Sequence, residues 1–155
     1  MTRTASSSSG PHRCAMRSAT PSGVAVEPSH SLGKHYLLVA DTGDNAGKRK
    51  DIVLHVFEEP ARLDGGELKP AWTIRARWPD GPRDCEAVAV DAAAGQVLLV
   101  SKKRNPPDLF ALPLARSRGV REARRIGRLA GVPLASAELR RNDPRLARLF
   151  PQVTA

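Results

Sequence analysis

An all-β chain of antiparallel four-stranded meanders, followed by a short C-terminal helical segment, is the fold class that the sequence predicts. Three observations lead there. Short apolar runs alternate with a period of two, turns rich in Gly, Pro, Asp and Asn separate them, and one group of strands recurs further along the chain. No run of residues reads as the crossover helix of a βαβ unit, so neighbouring strands are expected to pair antiparallel.

Residues 1–21, "MTRTASSSSGPHRCAMRSATP", hold no acidic residue and almost no large apolar side chain. Such a segment cannot bury enough surface to offset the entropy of ordering it, and it is expected to be a disordered tail. Strands are expected at "GVAVE" from Gly23, "YLLVAD" from Tyr36, "LHVFEEP" from Leu54 and "WTIRARW" from Trp72. A second set follows at "EAVAVD" from Glu86, "VLLVSK" from Val97, "LFALPL" from Leu109 and "ARRIGRL" from Ala123. The first unit spans residues 22–79 and the second 86–130. Residues 131–155 read as a short helical tail in a truncated chain. There Ser136 serves as N-cap, Asp143-Pro144 opens a second turn, and Leu146, Leu149 and Phe150 form an apolar stripe.

The two units align with Val24, Ala25, Val26 and Glu27 on Val88, Ala89, Val90 and Asp91, and "YLLVAD" on "VLLVSK". A four-stranded meander that repeats describes a β-propeller blade, with a β-sandwich as the plainer alternative. The offset, about sixty residues, exceeds the roughly 40 to 50 of a typical blade, so the first unit must carry long loops such as "TGDNAGKRKD" and "EEPARLDGGELKP". About two blades make a partial β-propeller, because ring closure needs about four or more.

The composition narrows the function classes. With 41% hydrophobic and 26% charged residues the chain is globular, and it has neither a membrane span nor a visible secretory signal. This slightly favours a soluble, cytoplasmic chain of unknown partner, a small ligand or a protein. The formal charge of +9 concentrates between Ala115 and Ala155, where ten arginines face only Glu122, Glu138 and Asp143. That cluster is a candidate for phosphate or nucleic acid. Nucleic acid is disfavoured, since base stacking needs ring platforms and aromatic residues make up only 4% of the chain. Cys14 and Cys85 lie too far apart in sequence, without ligand spacing, to read as a disulfide framework or zinc site, so free thiols are expected.

"LLVADTGDNAGKRKDIVLHVFEEP", "WPDGPRDCEAVAVD" and "LLVSKKR" together resemble a largely uncharacterised family of bacterial propeller-like proteins, marked by a "GDN" turn and a "DGPRD-x-EA" string. The resemblance covers about Tyr36 to Leu114. Cys85 stands where that family commonly has a small residue, and His55 where an aromatic is usual. The family is loosely similar to phytase-like and lactonase-like propellers. The likeness implies a longer protein and a calcium ion held by acidic residues at a blade entrance.

"DGPRDCE", residues 80–86, is the stretch on which that implication bears. On an extended strand Asp84 and Glu86 share a face while Cys85 points away. Calcium takes six to eight oxygens, so the candidate ligands are Asp84 and Glu86 with Asp80, Asp41, Asp44 and Asn45. Arg83, Lys102 and Lys103 are candidates to bind an anion. The competing structural reading has Asp80 and Asp84 hold turn amides while Glu86 pairs with Arg83 or Lys102, and has "DTGDN" act as a turn only. Cys85 as a nucleophile would need a base among His30, His35 and His55, which no spacing requires; a buried thiol is the stronger expectation. No catalytic residue is assigned. The function expected is a propeller-like binding or interaction module. The alternatives are a calcium-dependent hydrolase, and phosphate or nucleic-acid binding through the C-terminal arginines.

Overall fold

The computed structural model describes residues 24–28, 34–62, 65–102 and 104–148. The expected N-terminal tail, His30, Lys103, Leu149 and Phe150 lie outside the described residues.

The chain is mostly β. Strands β1 (Val24–Pro28), β2 (His35–Asp41), β3 (Ile52–Glu58) and β4 (Trp72–Arg77) form an antiparallel meander. A second meander consists of β5 (Cys85–Asp91), β6 (Gln96–Ser101), β7 (Asp108–Pro113) and β9 (Arg124–Arg128). Between the last two lies β8 (Val120–Glu122), which the sequence did not foretell. It crosses to the first sheet and pairs with β4 in parallel, Arg75 opposite Val120 and Arg77 opposite Glu122. The first sheet therefore has five strands in the order β1-β2-β3-β4-β8, a correction to the four expected, and the second has four. Two short helices follow, α1 (Ala137–Asn142) and α2 (Pro144–Ala147).

Period-two alternation sets the buried faces. In β3 the side chains of Ile52, Leu54 and Val56 are buried, and their partners Leu38, Ala40, Ile74 and Ala76 extend the same face across β2 and β4. In the second sheet Val97, Leu99, Phe110 and Leu112 do likewise, and both faces join Trp78, Cys85 and Ala123 in one contiguous core. The opposite faces are mixed: Asp41, His55, Thr73, Arg75 and Arg77 lie on that of the first sheet, but apolar residues stand there too. Leu37, Val39, Val53 and Phe57 on the first sheet, and Leu98, Val100 and Leu109 on the second, are only half-buried.

Turn chemistry places the ends of these strands. Gly47 closes the loop after β2 with φ 62° and donates its N–H to the Asp44 carbonyl at 2.9 Å. That positive φ favours glycine. Gly95 does the same between β5 and β6 with φ 61°, where the Asp91 carboxylate accepts from the Ala94 N–H at 3.0 Å. The helices start as expected. Ser136 Oγ accepts from the Leu139 N–H at 3.0 Å, and the Asp143 carboxylate accepts from the Leu146 N–H at 2.9 Å with Pro144 in the first turn. The expected apolar stripe does not pack through Leu146, which is 44% exposed; Ala147 is the residue of α2 that is buried.

Candidate functional site

The stretch 80–86 bridges the two sheets, and each charged side chain in it has at least one partner within the chain. It begins at the loop that leaves β4 and ends inside β5. Thr42, fully buried at the end of β2, donates its hydroxyl to the Cys85 carbonyl at 2.7 Å. Two residues on, the Asp44 N–H donates to Asp84 Oδ1 at 2.7 Å, and the Lys102 N–H donates to the Asp84 carbonyl at 2.8 Å. The head of β5 is thus fastened to the loop after β2 and to the end of β6.

The register shifts between Cys85 and Ala87, so Glu86 is the extra residue of a β-bulge. The simple alternation expected of Asp84 and Glu86 is interrupted there, and the two carboxylates take different surroundings. Asp84 is buried against the Asp44 amide, whereas Glu86 is half-buried and pairs with Lys102 at 2.6 Å. Asp44 accepts from the Lys48 and Arg49 N–H groups at 3.0 and 2.8 Å, capping its own loop. Asp41 holds Arg49 through two hydrogen bonds of 2.5 and 2.7 Å, and Arg49 also reaches the Gly43 carbonyl at 3.2 Å. Asp80 pairs with Arg83. Asn45, the remaining candidate ligand, is exposed in the same loop. Among the described residues no group of three or more His, Cys, Asp or Glu side chains is placed to hold a metal ion.

Arg83 is a candidate anion binder by sequence, but the structure buries its side chain to 3% exposure. Its guanidinium lies 4.6 Å from the centroid of the Phe110 ring and 5.5 Å from that of Trp78, and the two rings meet edge to face at 4.9 Å. It donates to Asp108 at 3.0 Å as well as to Asp80. Asp108, with its side chain 2% exposed, heads β7 and is the residue that sequence reasoning missed. Its N–H donates to the buried Ser101 hydroxyl at 2.8 Å. Around its carboxylate stand three more guanidiniums, those of Arg128 at 3.4 Å, Arg125 at 3.6 Å and Arg104 at 3.8 Å. A signal for Asp108 does exist in the repeat. Asp51 likewise precedes the apolar run of a third strand, and it meets Arg75 of its fourth strand at 2.9 Å.

Electrostatics follow these pairings. The Arg49 guanidinium holds the Asp41 carboxyl below the ordinary carboxylate range, and Arg83 does the same for Asp80. Burial pushes the Cys85 thiol up to about 12, its Sγ lying 3.6 Å from the Ala87 carbonyl. An activated nucleophile needs the opposite shift, and Cys85 packs as a small apolar side chain.

No helix among the described residues is long and apolar enough to cross a membrane. Comparison of the chain with protein-family models, with curated proteins and with solved structures finds no match.

Proposed function

We propose that the chain is a β-propeller-type interaction module, in which the two meanders are adjacent blades and β1 and β5 are their inner strands. The observation that supports this most is that apolar side chains also stand on the faces turned away from the core, in β2 and β3 of the first sheet and in β6 and β7 of the second. In a finished two-sheet sandwich the outer faces alternate to polar. Here Leu37, Val39, Val53 and Phe57, and Leu98, Val100 and Leu109, are only half-buried. A blade is packed on both sides by its neighbours, and that arrangement explains apolar residues at both parities. Contact between β1 and β5 fits the same reading.

The calcium-dependent hydrolase reading gains less from the geometry. Asp41, Asp80 and Glu86 are engaged by Arg49, Arg83 and Lys102, and Asp44 and Asp84 accept backbone N–H groups. A cation would have to displace those partners.

Sedimentation velocity combined with thermal melts tests the proposal. The chain should self-associate, and Leu37→Glu with Leu98→Glu should yield a soluble monomer with the same β-sheet circular dichroism. Its melting midpoint should not respond to calcium or chelator. A compact wild-type monomer that binds no hydrophobic dye would argue for a finished sandwich. A calcium-dependent rise in midpoint, lost in Asp84→Asn, would instead put the metal-dependent reading ahead.

A further inference from the structure

The strand pairing of β7 and β9 contains a second irregularity, and it gathers charge. Asp108 lies opposite Arg128 and Leu109 opposite Gly127, but Phe110 lies opposite Arg125, so Ile126 is an extra residue. On a regular strand, residues three apart point to opposite faces. The bulge cancels that offset and brings Arg125 and Arg128 to the face shared by Asp108 and Phe110, a re-aiming for which bulges are known. Arg104 joins them from the loop before β7.

The result is an unbalanced cluster. Four guanidiniums, those of Arg83, Arg104, Arg125 and Arg128, meet two carboxylates, Asp80 and Asp108. Asp108 is already bonded to the buried Arg83 at 3.0 Å, and the other three approach it only to 3.4–3.8 Å. Their side chains remain 51–60% exposed. Each guanidinium presents five N–H donors in a rigid fork suited to carboxylate and phosphate oxygens. Most of those donors therefore stay available to solvent, around a local excess of positive charge. The buried carboxylate anchors the arginines without neutralising them.

We propose that Arg104, Arg125 and Arg128 form a binding site for a phosphate-bearing small ligand, with Asp108 and Arg83 as its buried anchor. A dianion with three free oxygens matches both the charge excess and the number of guanidiniums. The site stands on the arginine geometry and does not depend on whether the sheets belong to a propeller.

Calorimetric titration of the whole chain with inorganic pyrophosphate, at fixed ionic strength in chloride buffer, tests this. Saturable binding of one pyrophosphate per chain is expected. Arg125→Gln with Arg128→Gln should weaken it by about tenfold or more, as loss of charge-assisted hydrogen bonds requires. Arg140→Gln, an exposed arginine on α1, should leave it unchanged. Circular dichroism verifies that each variant is folded; should the double variant fail to fold, Arg104→Gln, in a loop, reads the same loss. Absence of saturable binding would overturn the proposal, as would equal weakening by Arg140→Gln. So would tighter binding of a 12-nucleotide single strand that falls equally in every arginine variant, because that marks a diffuse polyelectrolyte surface.

Discussion

The hydroxyl of Thr42 donates to the carbonyl of Cys85 at 2.7 Å in the fully buried space where the first sheet meets the second. Replacing Thr42 by valine keeps the shape and leaves the carbonyl without that donor. An unsatisfied buried polar group costs about 1–3 kcal/mol. Thr42→Val should lower the urea midpoint accordingly with an unchanged slope, whereas Thr73→Val, on a half-buried strand position, should stay within about 0.5 kcal/mol.

The Arg83–Asp108 pair is expected to be the costliest polar contact to break. Removing one member of a buried ion pair leaves the other uncompensated, at about 3–5 kcal/mol. Asp108→Asn should therefore destabilise the chain severely, to the point of unfolding it at 37 °C. Arg83→Lys should be nearly as damaging, because an ammonium can neither span Asp80 and Asp108 together nor present a flat face to Phe110. Chemical denaturation of the two variants beside Arg104→Gln checks both, the last being expected near wild type.

Asp41 gives a pH signature. Its carboxyl is held below the usual range by Arg49, so its contribution is complete above the unfolded value near pH 4 and disappears as pH falls through the lower folded value. Asp41→Asn should lower the midpoint at pH 7 by an amount worth about 0.5–1 kcal/mol, modest because the pair is partly solvated. The difference from wild type should vanish toward pH 2. A variant equally destabilised at both pH values would show that Asp41 acts through packing instead.

Cys85 behaves in the opposite sense. Its folded value near 12 lies above the unfolded value, so the protonated thiol is compatible with the core, and stability declines as pH rises from about 9 toward 12. In a Cys14→Ser background, iodoacetamide at pH 8 should label the native chain no faster than the chain unfolds. Rapid labelling of folded protein would show that the thiol is open to solvent.

The strands that could be read from the sequence are those whose side chains alternate. In β3 and β6, apolar residues at every second position face the core, and nothing in the tertiary structure overrode them. β8 was illegible because "VRE" has no pattern of its own; it exists as a strand only through backbone pairing with β4. Among the candidate site residues, the role of Asp44 follows from turn chemistry close to it in sequence. The setting of Asp108 does not, since Arg83, Arg104, Arg125 and Arg128 arrive from separate places along the chain. Two of these are brought to it by a bulge, and one inserted register step leaves no mark in an alternation of arginines, isoleucine and glycine.

β8 and β9 are separated by Ala123 alone, yet they belong to different sheets. A nascent chain that has emerged through Arg77 holds four strands of the first sheet with the outer edge of β4 still open. That edge waits for Val120–Glu122, which is synthesised only after β5, β6 and β7. Until then β4 is a bare edge of the kind that invites pairing between molecules. Once Ala123 is buried and donates its N–H to the Arg77 carbonyl, the outer edges of the two sheets are tied at a single residue. Neither can then melt its outer edge without pulling on the other, and a chain interrupted between Leu114 and Val120 would lose the border of both.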